Sequence, residues 1–168
     1  IRYHLEKALF LATHGRPGPT WVDIPVDVQS SQIDPDKLAG FDPAKEIKPL
    51  DTSGLDETIT LILEKMRQAK RPVIYPGTGI RLSGHYETFL KIVEKLGIPV
   101  APAFNSSDLL GEAHPQYAGL PGSIGNRAGN FAVQNADFLL VLGCRLNIRL
   151  VSYNWKNFAR EAFKVVVD

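Results

Sequence analysis

Cysteine is nearly absent: Cys144 is the only one in the chain, so no internal disulfide braces the fold. That usage fits a reducing, cytoplasmic setting. A charge excess is also lacking, with nineteen Lys and Arg against eighteen Asp and Glu and a formal net charge of +1. Such a balance makes no electrostatic case for nucleic acid or an anionic membrane surface. No apolar run approaches the roughly 18 residues of a spanning helix. The amino end, IRYHLEKALFLATHG, is amphipathic and charged, unlike a signal peptide. His4, His14, His85 and His114 lie far apart and match no metal-ligand spacing. No Gly-x-Ser-x-Gly occurs and no Ser/His/Asp arrangement is suggested, so no catalytic or metal-ligating residue is assigned.

What is present is a sizeable core: 168 residues with 44% apolar composition suit one compact domain. Ile1, Leu5, Ala8, Leu9 and Ala12 recur at helical spacing ahead of Gly15. After GRPGPT, the stretch TWVDIPV alternates as a strand would. Residues 30–52 are rich in Pro, Asp and Lys with little periodicity, and read as a linker. The chain opens inside a helix pattern without a methionine and stops inside a strand pattern, so it reads as a piece of a longer protein.

From residue 53 a regular alternation begins. Ser53 and Asp56 suggest a capping box, followed by the stripe Leu55, Ile59, Ile62, Met66 and Ala69. PVIY predicts a strand, Tyr86 to Leu96 a helix closed by Gly97, and IPVAPAF another strand. NRAGNFAVQNA predicts a helix, DFLLVLGC the strongest strand, NWKNFARE a helix and FKVVVD a last strand. Strands apolar on both faces, alternating with helices, predict an α/β, Rossmann-like, three-layer α/β/α fold with a parallel, doubly wound sheet. Ligands of such sheets sit at the carboxyl edge, here bordered by Gly77–Gly84, Phe104–Gly125 and Gly143–Tyr153.

Three segments there have the chemistry of a ligand site. Gly77-Thr78-Gly79 follows a strand and precedes a helical pattern; it is either a tight turn or a loop whose backbone approaches a phosphate at a helix N-terminus. The third glycine of a dinucleotide fingerprint is Leu82, and no Gly-Lys-Ser/Thr follows. In GCRLNIR, Arg145, Asn147 and Arg149 would point one way if extended, facing one anion together or lying solvated. Gly119, Gly122, Gly125 and Gly129 form either a lid or a flexible connector. Asp168, at a strand tip, is placed as a ribose acceptor is.

Taken in order, GRPGPTWVDIPVDVQ, VIYPGTGIRLSG and EKLGIPVAPAFNSSDLLGEAHPQYAGLPGSIGNRAGNFAVQNADFLLVLGCRLNIR resemble the central domain of thiamine-diphosphate-dependent enzymes. The nearest likeness is to acetolactate synthase (acetohydroxyacid synthase) large subunits, of branched-chain amino acid biosynthesis. The resemblance implies that 1–29 is the tail of a preceding pyrimidine-binding domain, 30–52 the linker and 53–168 a central, DHS-like nucleotide-binding domain truncated at its carboxyl end. It implies FAD, held by Gly77, Thr78, Gly79, Phe104, Asn105, Gly122, Gly125, Arg145 and Asp168, and a 2-oxo acid carboxylate facing Arg149. Thiamine diphosphate and Mg²⁺ would bind outside this chain, in flanking domains that are its partners, within a homo-oligomer. The sequence departs from that family at Thr78, where a glycine is usual, at Ser123-Ile124 and at Asn147-Ile148. A flavin-free thiamine-diphosphate decarboxylase and a stand-alone nucleotide-binding module are therefore the alternative expectations.

Overall fold

The computed structural model describes residues 1–168, which divide into two compact units, Ile1–Ser53 and Gly54–Asp168. No helix is long and apolar enough to cross a membrane.

The first unit is built on helix α1 (Arg2–Thr13), with short helices α2 (Val26–Gln29) and α3 (Pro43–Glu46) following. Residues 41–46 fold back along α1. Lys7 Nζ reaches the Glu46 carboxylate at 2.6 Å and the Tyr3 hydroxyl at 3.0 Å. Hydrogen bonds from Lys7 and then Tyr3 hold the Glu46 carboxyl below its ordinary value. The Phe41 amide donates to Glu6 at 2.8 Å, and the Phe41 ring meets Phe10 and Tyr3 edge to face or tilted. TWVDIPV forms no strand: residues 17–25 have no regular structure, and Trp21 is 92% exposed. A period-two pattern becomes a strand only where a neighbour completes the ladder, and this unit contains none. Pro19 and Pro25 also remove donors.

The second unit carries a parallel sheet in the order β1 (Pro72–Pro76), β2 (Phe138–Leu142), β3 (Phe163–Val167). Helices α4 (Leu55–Gln68), α5 (Gly79–Leu82), α6 (Tyr86–Leu96), α7 (Arg127–Gln134) and α8 (Ile148–Val151) connect or flank it. On the other side of β1 the pairing continues through parallel bridges Ile74–Val100 and Val100–Tyr117. IPVAPAF contributes only these two bridges, both at Val100, because Pro99 and Pro102 have no amide to donate, although the Ala101 amide still reaches Ile74 O at 2.9 Å.

The sheet is covered on both faces, as alternate strand residues show. Val73, Tyr75, Leu139 and Val141 pack with Val133, Leu150 and Phe158 on one side. Ile74 packs with Phe89, Val93, Val100 and Leu109 on the other. This is the α/β, doubly wound arrangement that the alternation of strands and helices predicts. After β1 the chain runs outward through Val100 and Tyr117, then returns to β2 on the opposite flank. The β1–β2 carboxyl ends are therefore a topological switch point, where open α/β sheets place ligands.

Three local expectations are corrected. Ser53 does not cap α4: its amide is taken by Asp51 at 2.9 Å, and Gly54, with φ of +75°, holds the N-cap position. NWKNFARE is no α-helix but a three-residue turn of 3₁₀ helix, Trp155–Asn157, followed by turns. Phe158 and Ala159 must bury there, and Ala159 takes φ of +41°, which a continuous helix forbids. Arg145, Asn147 and Arg149 do not alternate along an extended segment either. The Asn147 side chain accepts the Arg149 amide at 3.0 Å and starts α8, after Leu146 turns with φ of +51°.

Candidate functional site

At the switch point the ends of all three strands are laced together through Gly143. The Gly77 amide donates to Leu142 O at 2.8 Å, the Gly79 amide to Gly143 O at 2.9 Å, and the Gly143 amide to Val167 O at 2.7 Å. The backbones touch so closely that side chains have no place between them. A Cβ on Gly77 would lie 2.3 Å from Gly143 O and 2.5 Å from the Cys144 Cα, and one on Gly79 would lie 2.6 Å from the Gly143 Cα. Gly143 itself turns with φ of +56°. Thr78, between the two glycines, is half-buried in ordinary right-handed geometry, φ −60° and ψ −20°. The helix behind the loop is the single turn α5, and the longer α6 starts only at Tyr86. The amides of Gly77 and Gly79 thus serve the neighbouring strand end.

The segment Phe104–Leu109, a kinked 3₁₀ stretch, is fastened to the same place. The Ala103 amide donates to Pro76 O at 3.0 Å, and the buried Ser106 hydroxyl lies 3.0 Å from Pro76 O as well. From the other side, the Arg81 guanidinium pairs with the Asp108 carboxylate at 2.9 Å and donates to Asp108 O at 3.1 Å. It also stacks 4.2 Å above the Tyr86 ring. Phe104 packs half-buried against the core while Asn105 is exposed.

The glycine-rich stretch before α7 is neither a loose connector nor a free lid. Asn126 caps α7 by accepting the Gly129 amide at 2.8 Å. Asn130, one turn later, grips Gly122 at both ends: its Oδ1 accepts the Gly122 amide at 3.0 Å and its Nδ2 donates to Gly122 O at 3.2 Å. The Ser123 amide then donates to Arg149 O at 2.8 Å, tying this loop to α8.

The predicted site residues therefore converge in two linked groups. Gly77, Thr78, Gly79, Arg145 and Asp168 gather around Gly143 and Cys144, with Phe104 and Asn105 held at the end of β1. Gly122 lies against Arg149 O of α8, and the Gly125 amide donates to Gly122 O at 3.1 Å, forming the second group. Arg145 and Arg149 are exposed, and no carboxylate holds either guanidinium. Beneath them Cys144 is buried; burial pushes its thiol up, the Leu146 amide opposes that, and the nearby Asp168 charge adds to it. Tyr75 is fully buried and its hydroxyl has no hydrogen-bond partner; burial, and then Cys144, push it far above the ordinary tyrosine range. No group of three or more His, Cys, Asp or Glu side chains gathers as a metal site would.

Sequence reasoning missed the parts that hold this edge together: Ser106, Arg81, Asn126 and Asn130. The asparagines alone left a signal, since Asn-x-x-x-Asn at a helix start places two amides on one face beside the preceding loop.

The family described as thiamine pyrophosphate enzyme, central domain, matches residues 59–168. Among curated proteins, the chain is 34% identical over 171 residues to a probable acetolactate synthase large subunit of Methanococcus aeolicus, covering 97% of this chain and 27% of that protein. It is 38% identical over 169 residues to the probable chloroplastic acetolactate synthase 2 of Oryza sativa subsp. japonica, covering 98% of this chain and 24% of that protein. With the acetolactate synthase large subunit of Lactococcus lactis subsp. lactis it shares 33% identity over 166 residues, 98% of this chain and 28% of the relative. The chain thus spans 24% to 28% of the length of these relatives.

Proposed function

Because the chain belongs to the thiamine pyrophosphate enzyme central-domain family, we propose that it is the nucleotide-holding, architectural part of a larger carboligase. That enzyme would decarboxylate a 2-oxo acid and join the two-carbon unit to an acceptor, as the names of its acetolactate synthase relatives suggest. Thiamine diphosphate, with Mg²⁺, supplies the carbanion stabilisation when bound, through segments other than these residues. Flanking segments of the same polypeptide and a second copy are the partners this reading requires.

The observation that carries the proposal is the convergence of Gly77–Gly79, Arg145, Asp168 and Phe104 on the switch point. The donor set suits FAD through the Arg145 guanidinium rather than through the glycine loop. With the Gly77 and Gly79 amides bonded to Leu142 and Gly143, a diphosphate would rest on Arg145, with a ribose hydroxyl on Asp168. Phe104 and Asn105 would border the ring system, and Gly122–Gly125 the linker between ring and diphosphate. Arg149 would face the acceptor's carboxylate, where a planar guanidinium pairs through two hydrogen bonds.

FAD added to the chain should raise its unfolding free energy, by roughly 2.7 kcal/mol at 100 times the Kd. Arg145→Ala should remove the rise. The closed glycine loop favours a second reading, a flavin-free central domain, and an unfolding midpoint unmoved by millimolar FAD would decide for it. In the whole enzyme, Arg149→Lys should raise the acceptor KM while leaving kcat nearly unchanged.

A further inference from the structure

Away from the strand ends, one face of α7 borders a groove of about 460 Å³, lined by Arg127, Asn130, Phe131, Gln134, Asn135 and Arg160. Arg127, Asn130, Phe131 and Gln134 lie at helical spacing on the outward stripe of α7, opposite the buried Gly129 and Val133, and Asn135 is its C-cap. The sixth, Arg160, comes from the turn after Trp155–Asn157.

The chemistry of the lining is one-sided. The lining residues carry two guanidiniums and three amides, and no carboxylate. Arg160 meets only Glu161, at 3.4 Å between side chains more than two-thirds exposed, a pairing that solvent leaves nearly worthless. Arg127 has no carboxylate at all; its guanidinium lies 5.1 Å from the centre of the Phe131 ring. That ring is 55% exposed and so open to stacking from the groove side.

The wall is preorganised. Asn130 is locked to Gly122, and Gln134 Oε1 accepts the Ala159 amide at 3.2 Å, which leaves the Gln134 NH₂ as a donor. The Ala159 contact also fixes the turn that presents Arg160. A volume of this size falls within the range of small-molecule sites, roughly 300–1,000 Å³.

We propose that this groove is an accessory binding site for a mononucleotide-sized anion: a flat heteroaromatic ring bearing a phosphate. The phosphate pairs with the guanidiniums and the Gln134 amide, and the ring adds to the Phe131–Arg127 stack. The assignment does not rest on any ligand at the carboxyl edge.

The test is calorimetric titration of AMP into the full chain, with inorganic phosphate as the charge-only probe. AMP should bind at one site, more tightly than phosphate. Arg127→Ala and Arg160→Ala should each weaken AMP about tenfold, the loss of a charge-assisted hydrogen bond. Phe131→Ala should abolish the advantage of AMP over phosphate. All three side chains are exposed, so unchanged unfolding midpoints will show that the variants fold. Absence of binding at millimolar AMP overturns the proposal. So does AMP binding that survives both arginine substitutions but is lost in Arg149→Ala, which would move the nucleotide to the carboxyl edge. Equal affinities for AMP and phosphate in the unaltered chain overturn it as well, since no ring is then recognised.

Discussion

In the loop after β1, neither Gly77 nor Gly79 occupies the left-handed region, yet neither has room for a side chain. In the loop before α7, Gly122 has φ of +101°, a conformation that side chains resist. The first loop needs glycine for space between two backbones, and the second needs it for the path of one backbone. They are also held differently. Main-chain bonds to Leu142 and Gly143 close the first, whereas the Asn130 side chain grips the second. Glycine in a candidate cofactor loop therefore carries no single meaning, and substitutions separate the two.

Gly77→Ala should have the largest effect, because its Cβ meets main-chain atoms at 2.3 and 2.5 Å that move only if β1 and β2 part. A loss of about 3 kcal/mol is expected, read as a thermal midpoint lowered by roughly 6–12 °C. Gly122→Ala should cost about 2 kcal/mol through backbone strain, with Arg149 O at 2.9 Å adding to it. If Gly122→Ala proves the more damaging, the contrast between space and path is wrong. Asn130→Ala should cost about 1.5 kcal/mol and speed hydrogen exchange at the Gly122 amide while leaving Gly77 and Gly79 protected.

Two smaller effects probe the first loop alone. Tyr75→Phe removes a buried hydroxyl that has no partner and should stabilise the chain by about 1 kcal/mol in denaturant titration. A destabilised variant would mean that the hydroxyl is satisfied, for example by an internal water. Thr78→Gly restores the glycine usual in the family that the sequence resembles. Since Thr78 already sits at φ −60°, the change should cost about 0.5 kcal/mol in unfolding free energy. FAD binding gained by that variant would show that the threonine side chain, rather than the closed loop, governs access.

Much of the second unit could be read in advance. The stripe Tyr86, Phe89, Leu90, Val93 and Leu96 became α6 with Gly97 as its left-handed cap, and the apolar runs PVIY and FLLVL became paired strands. Burial of one side chain in two, or one in three and a half, leaves a periodic trace that survives without coordinates. TWVDIPV carried the same kind of trace and formed nothing, because a strand is completed by a neighbour and none lies in the first unit. Arg145, Asn147 and Arg149 misled for a related reason: one asparagine side chain, accepting the Arg149 amide, turned an alternating stretch into a helix start.

By itself, then, the sequence determined the class of fold, its three paired strands with helices α4, α6 and α7, and the edge on which Gly77–Gly79, Arg145 and Asp168 would lie. These follow from local periodicity and chain direction, which short-range sterics and burial impose. Only the tertiary structure decided what those residues do there. It turned the Gly77 and Gly79 amides toward β2, put Gly143 at the centre of the three strand ends, clasped Arg81 to Asp108 and left Arg145 and Arg149 without a carboxylate. Each outcome depends on atoms distant in sequence coming within bonding distance, and no local pattern records such a meeting.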